Sequence, residues 1–246
     1  MTDTVELTAP AKLTLSLRIT GVRDDGYHLI DAEMVTLDLA DTLVVGSGEG
    51  ITVHGATGHP VPAGPDNLVA RALDLVGRRA AVGLHKRIPA GAGLGGGSAD
   101  AAAILRWAGF DDPVAAASLG ADVAFCLAGG RARVRGIGEV IDPLPVVDRT
   151  FTLLTPPFGC STPEVYAAWD ALGGPSGPGP NDLETAAVEV EPRLVEWRDR
   201  LADATGQAPV LAGSGSTWFV EGAFPGPGRV VARTDRPAGA VGGRTE

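Results

Sequence analysis

The chain has 246 residues, 44% of them hydrophobic, and a formal net charge of −10. That length suits one large domain or two small ones with a real core, and the acidic balance argues against a nucleic-acid surface, which would show a basic stripe. Two cysteines, Cys126 and Cys160, suit neither a disulfide scaffold nor a metal cluster. No apolar run reaches membrane-spanning length, and the acidic start Met1 to Glu6 carries no signal-peptide pattern, so the chain reads as a soluble cytoplasmic protein with neither membrane nor nucleic acid as partner.

Leu13 to Ile19 alternates apolar and polar residues with period two, the mark of a half-buried strand. Asp24-Asp25-Gly26 is a turn, followed by Tyr27-His28. Met34 to Leu39, Asp41 to Val45 and Ile51 to His54 read as three further strands. A Pro/Gly loop spans Gly58 to Gly64, and Asp66-Asn67-Leu68 opens a helix to about Gly77. Val82 to Ile88 is a strand feeding a glycine loop, and a helix runs from Ser98 to about Ala108. Val114 to Leu119 is a short helix that Gly120-Ala121-Asp122 ends, with a buried stretch at Val123 to Leu127. Ala132 to Val134 and Glu139 to Ile141 flank a Gly136-Ile137-Gly138 turn. Pro143 and Pro145 mark a break, which divides the chain into domains of residues 1–147 and 148–246.

The second half opens on the apolar strand Phe151 to Leu154. Thr162-Pro163-Glu164 predicts a helix with Thr162 as its N-cap. Residues 173–180 form a Pro/Gly loop, the only low-complexity segment. Helices start at Asn181-Asp182-Leu183-Glu184 and run from Pro192 to Ala204. Strands follow at Val210-Leu211, Trp218 to Val220 and Arg229 to Arg233, and the tail from Gly239 to Glu246 reads as disordered.

The chemistry concentrates in Pro89-Ala90-Gly91-Ala92-Gly93-Leu94-Gly95-Gly96-Gly97-Ser98-Ala99, where five glycines in seven residues run into an alanine-rich helix. Glycine lets backbone approach a ligand closely, and a helix start offers free N–H groups and a positive dipole end to an anion. Gly91, Gly93 and Gly96 fit GxGxxG, a weak signal alone. The loop is not a Walker A motif, because Gly97-Ser98 stands where Gly-Lys-Ser/Thr is required, and the protein-kinase signatures do not follow. Lysine is scarce: only Lys12 and Lys86 occur among twenty basic side chains. Each is a point charge whose role arginine does not simply replace.

Pro10-Ala11-Lys12, Gly26-Tyr27-His28, the glycine loop into Ser98-Ala99-Asp100, Gly120-Ala121-Asp122-Val123 and Gly213-Ser214-Gly215-Ser216 stand in that order. This set resembles the GHMP kinase superfamily over most of the chain. Asp25-Gly26-Tyr27-His28 with Gly120-Ala121-Asp122-Val123 resembles its branch acting on a cytidine-diphosphate-linked methylerythritol. The resemblance implies an α+β, two-domain fold: an N-terminal domain like ribosomal protein S5 domain 2 and a ferredoxin-like C-terminal domain, with the active site between them. It implies that ATP phosphorylates the 2-hydroxyl of 4-diphosphocytidyl-2-C-methyl-D-erythritol, on the non-mevalonate route to isoprenoid precursors.

Lys12 and Asp122 match the catalytic lysine and aspartate. Residues 89–99, with Asn67 near the adenine and Ser214 in the second glycine turn, match the ATP site. Tyr27, His28 and Tyr166 match the positions that hold the cytosine. Phosphoryl transfer needs such a cradle, positive charge by the transferring group and a residue to take the hydroxyl proton. Mg2+ is expected with ATP, no side chain is assigned to it, and a monomer or weak homodimer is expected. The chain departs from the family pattern at Thr14, Ala99, Asp100 and Ala124. Three alternatives remain: another GHMP kinase for homoserine, mevalonate or a sugar, a dinucleotide-dependent oxidoreductase, and a non-catalytic nucleotide binder. Homoserine, mevalonate and sugars offer no base to stack. An oxidoreductase needs an acidic residue closing the next strand, and Asp112 sits before a helix instead.

Overall fold

A computed structural model describes residues 4–55, 60–177 and 179–235. Among these residues the fold is built on two sheets of six and four strands. In the first, β1 (Val5–Val22) runs antiparallel along one edge of β2 (His28–Gly46). The other edge of β2 takes two strands in tandem: β5 (Arg131–Gly136) beside its first half and β4 (Ala81–His85) beside its second. β3 (Gly50–His54) joins β4 in parallel, and β6 (Val140–Leu144) closes the far side against β5.

The helices α1 (Leu68–Leu75), α2 (Gly96–Trp107), α3 (Pro113–Ala117) and α4 (Ala121–Ala128) belong to this first half, and α2 packs on β1, α1 and α4. Leu13, Leu37, Leu43 and Leu84 from the strands meet Val69, Ile104, Leu105 and Phe125 from the helices in the core, all fully buried. Small alanines at 99, 101, 102 and 103 bring α2 close to its neighbours.

The second sheet has the order β10-β7-β9-β8, with β7 (Thr150–Leu154), β8 (Val210–Leu211), β9 (Trp218–Glu221) and β10 (Arg229–Arg233). Helices α5 (Thr162–Ala171), α6 (Glu184–Val190) and α7 (Leu194–Thr205) accompany it. Phe151, Leu153, Trp218 and Leu201 fill its interior, and both halves share one continuous apolar cluster. The halves are also stitched by hydrogen bonds. Leu17 N donates to Pro180 O at 2.8 Å, Asp182 N donates to Leu17 O at 3.0 Å, and the Asp182 carboxylate accepts from Arg18 Nη1 at 2.6 Å and Ile19 N at 3.0 Å.

Several expectations need correction. The strands at 34–39 and 41–45 are one strand, because pairing with β1 continues through Ala40 and Asp41, and Asp41 is fully buried there with its charge paired. Gly120-Ala121-Asp122 does not end a helix. It starts α4, with Gly120 at the cap and Asp122 in the first turn. The helix after the glycine loop begins at Gly96 rather than Ser98, because Gly95 takes the left-handed conformation and turns the chain into it early. Ser161, not Thr162, occupies the α5 cap position. Pro143 lies within β6, which tolerates a missing N–H because it is an edge strand. The tail from Gly239 to Glu246, expected from the sequence to be disordered, lies outside the described residues, as does part of the Gly58–Gly64 loop.

Candidate active site

A cleft of about 1120 Å³ runs between the two halves. Its floor starts with β1. The pairing register of β1 with β2 shifts between Pro10 and Lys12, and a bulge of this kind re-aims the side chains beside it. Lys12 N leaves the strand ladder and donates to Leu94 O at 3.0 Å, so the strand grips the glycine loop. The Lys12 side chain crosses under Gly95, where a Cβ would lie 2.7 Å from its Cγ. Its ammonium then reaches Asp122 Oδ2 at 3.1 Å and donates to Thr14 Oγ1 at 3.1 Å. Lys12 is buried and Asp122 is about a third exposed to the cleft. An ammonium held beside a reachable carboxylate can steady charge that develops on a bound oxygen.

Two helix starts face this pair. Neither α2 nor α4 has a side chain capping its N-terminus, whereas α1 is capped by Asn67 and α3 by Asp112. Gly91, Gly93 and Ser98 line the cleft beside Gly120 and Ala121. Uncapped N–H groups at a helix start form an anion site. The second glycine turn closes over the first. Thr217 N donates to Ala92 O at 3.1 Å, and a Cβ on Gly93 would fall 2.3 Å from Ala212 O and 2.7 Å from Gly215 O. Only glycine permits two backbones to meet in this way. Ser214 lines the cleft and shares a hydrogen bond of 2.8 Å with Thr162 Oγ1.

At one end of the cleft, His28 opens β2 and Tyr166 lies on α5, with ring centroids 4.7 Å apart. The edge of Trp169 meets the imidazole at 5.6 Å. Asp170 Oδ1 lies 2.8 Å from His28 Nε2 and fixes the ring. Tyr27 stands 60% exposed at the mouth, and burial pushes the Tyr166 hydroxyl well above the ordinary phenol range. The site therefore combines aromatic surface and an anion cradle in one cleft.

The cleft gathers Lys12, Tyr27, His28, Gly91, Gly93, Ser98, Asp122, Tyr166 and Ser214. Ala92, Leu94 and Ala99 turn their side chains into the core and offer only backbone. Pro89, Ala90, Gly95, Gly96 and Gly97 shape the loop without lining the cleft. Asn67 is buried as the α1 cap, accepting from Val69 N at 2.8 Å and donating to Pro62 O at 2.6 Å.

The sequence alone assigns no role to three supports. Asp170 stands four residues after Tyr166, so helical spacing could have placed it on the same face. Asn181 donates through Nδ2 to Leu211 O at 2.8 Å and Gly213 O at 2.7 Å, holding the second glycine turn. Lys86, one of the two lysines, lies buried between Asp41 and Asp100.

Comparison with known proteins gives this geometry a family. Residues 67–130 match the family model described as GHMP kinases N terminal domain. A 4-diphosphocytidyl-2-C-methyl-D-erythritol kinase of Paracoccus denitrificans is 39% identical to this chain, covering 94% of it and 91% of the relative. The chain belongs to the 4-diphosphocytidyl-2-C-methyl-D-erythritol kinase family. A member of that family from Ruegeria pomeroyi is also 39% identical, over 91% of this chain and 90% of its own. A crystal structure of a 4-(cytidine 5'-diphospho)-2C-methyl-D-erythritol kinase matches with a TM-score of 0.74 at 33% identity, covering 93% of this chain and 98% of that one. A homoserine kinase from Cytophaga hutchinsonii shares the fold at a TM-score of 0.55 and 17% identity. The fold is thus the mixed α+β GHMP kinase fold, and the chain is an ATP-dependent small-molecule kinase.

Proposed function

We propose that this kinase transfers the γ-phosphoryl group of ATP to the 2-hydroxyl of 4-diphosphocytidyl-2-C-methyl-D-erythritol, with Asp122 and Lys12 at the reacting centre. The observation that carries this reading is the Lys12–Asp122 pair at 3.1 Å, in the same cleft as the anion cradle and the His28–Tyr166 ring pair. The Asp122 carboxylate takes the hydroxyl proton as the hydroxyl oxygen attacks the γ-phosphorus. The bond from that phosphorus to the bridging oxygen breaks, and ADP leaves. Lys12 stabilises the negative charge passing between the oxygens. Residues 89–99 and Ser214 form the phosphate cradle, with Gly91, Gly93, Ser98 and Ser214 on its surface and the other loop residues shaping it, and the Asn67 segment borders the adenine. Tyr27, His28 and Tyr166 hold the cytosine, by stacking and by hydrogen bonding to the base edge.

Mg2+ is proposed to arrive with ATP, because it commonly stays with substrate phosphates and water. Bound there, it would neutralise phosphate charge. We further divide the chain into residues 1–147, an S5-domain-2-like half, and 148–246, a ferredoxin-like half. The two sheets and the residue 145–149 connection between them support that division. A cytoplasmic location is proposed on the sequence grounds above, and a monomer or weak homodimer as the expected state. Among the described residues no helix is long and apolar enough to cross a membrane.

The test is ADP release with Mg-ATP and 4-diphosphocytidyl-methylerythritol, beside free methylerythritol, homoserine and mevalonate. Turnover confined to the cytidyl substrate is expected. Turnover with another alcohol instead would keep the Lys12–Asp122 chemistry and overturn the ring assignments.

A further inference from the structure

The proposed chemistry leaves one buried charged cluster unused, directly beneath the glycine loop. Lys86 Nζ donates to Asp41 Oδ2 and to Asp100 Oδ2, the latter at 2.6 Å, and all three side chains are at most 2% exposed. The second oxygen of Asp41 accepts from Arg87 N and from Ile88 N, the last at 2.8 Å. Asp100 Oδ1 is buried without a partner. Two carboxylates share one ammonium, so the cluster carries a formal charge of −1.

Its position matters more than its charge count. Arg87 and Ile88 lead into the loop at Pro89, and Asp41 holds their N–H groups. Asp100 lies in the second turn of α2, the helix that leaves the loop at Gly96. A Cβ on Gly96 would lie 3.3 Å from Lys86 Nζ. The ammonium therefore joins the segment entering the loop to the helix leaving it. Removing one partner of such a buried set strands the others without compensation.

Burial, reinforced by the Asp41 charge and opposed by Lys86, raises the Asp100 carboxyl to about 7. Cys126 on α4 is held neutral by burial, its thiol pushed up to about 12. Arg106, further along α2, donates to Cys126 O at 2.5 Å, and Lys12 and Asp122 pair with each other on the cleft side.

We infer that Lys86, Asp41 and Asp100 are the positioning residues of the glycine loop, and that a proton on Asp100 tightens nucleotide binding by removing the cluster's excess negative charge. This rests on the reading of the loop as the ATP site. With the proton in place the cluster is neutral. Without it, a net negative charge sits one to two helical turns behind a site for a polyanion.

The experiment is the Kd for Mg-ATP by calorimetry from pH 6 to 8.5, for the wild type and Asp100→Asn, with kcat and the KM for ATP measured alongside. If ATP shifts the Asp100 titration by about one unit, wild-type Kd rises by up to about ten-fold across that range. Asp100→Asn keeps the wild-type affinity of pH 6 throughout, apart from the titration of ATP itself, which both proteins share. The effect falls on the KM for ATP rather than on kcat. A second measurement needs only the wild type: binding Mg-ADP at pH 7.5 in buffers of different ionisation heat should take up protons. Parallel profiles for the two proteins, or no proton uptake, overturn the inference while leaving the ATP site intact. Absence of nucleotide binding at every pH overturns the ATP-site reading, and the inference with it.

Discussion

Gly93→Ala probes the closest backbone approach in the cleft. Gly93 has a φ of +76°, and an added Cβ would lie 2.3 Å from Ala212 O and 2.7 Å from Gly215 O. Carbon–oxygen contacts settle at about 3.3–3.6 Å, so the two glycine turns must separate by roughly 1 Å. The left-handed conformation costs an alanine about 1–2 kcal/mol, and forcing apart packed backbone adds about 1–3 kcal/mol, as overpacking does. A combined loss of about 2–5 kcal/mol, at about 2–4 °C per kcal/mol for a chain of this size, lowers the melting temperature by about 4–20 °C. Displacing the cradle by roughly 1 Å should also cost about 100-fold in kcat/KM.

The assay is thermal melting followed by ADP release under Mg-ATP and the cytidyl substrate. Gly97→Ala is the internal control. Its Cβ meets only Leu68 Cδ1, at 3.6 Å, from a position already inside α2, so its stability should hold or rise by up to about 1 kcal/mol. A Gly93→Ala protein that melts and turns over like the wild type would refute the backbone-approach argument. So would equal losses in both variants.

Asp122→Asn should leave ATP affinity nearly unchanged and lower kcat by about 10²–10⁴-fold, the usual contribution of a positioned base; wild-type turnover in the variant would remove Asp122 from that role. Tyr27→Ala should raise the KM for the cytidyl substrate, since stacking a base contributes about 1–3 kcal/mol, and a pure kcat loss would contradict the assignment. Asp170→Asn weakens the bond that fixes His28, so the same KM should rise while ATP affinity stays put, and substrate titration by calorimetry separates the two. Stability should also follow Asp100. Its folded-state value of about 7 lies above its ordinary 3.8, so the folded protein binds the extra proton between those values. The wild type should lose melting temperature relative to Asp100→Asn as pH rises from about 4 through 7, with no further divergence above. Parallel melting curves across that range would count against a buried, proton-sharing cluster.

By itself the sequence determined the chemistry-bearing segments and the broad class of fold. The glycine run, the scarcity of lysine, Asp25-Gly26-Tyr27-His28 and Gly120-Ala121-Asp122 are local patterns, and local backbone preference and side-chain type carry their meaning. Strand periodicity likewise located Leu13 to Ile19, because alternation follows directly from the pleat, and a short apolar run located Phe151 to Leu154. What tertiary structure decided were contacts between residues far apart in the chain. The full burial of Asp41 in β2 becomes tolerable only when Lys86 and the Arg87 and Ile88 N–H groups arrive from the segment that follows β4. Asp122 moved from a helix end to a helix start because Gly120 and the packing of α4 against α2 fix that turn. Asn67 and Leu94 look alike in the motif but not in space: one caps a helix and the other fills the core. Asp170 and Asn181 gained their positions only when α5 and the second glycine turn met β1 and β2 across the cleft. Hydrogen bonds and ion pairs of this kind depend on distances that no spacing along the chain encodes.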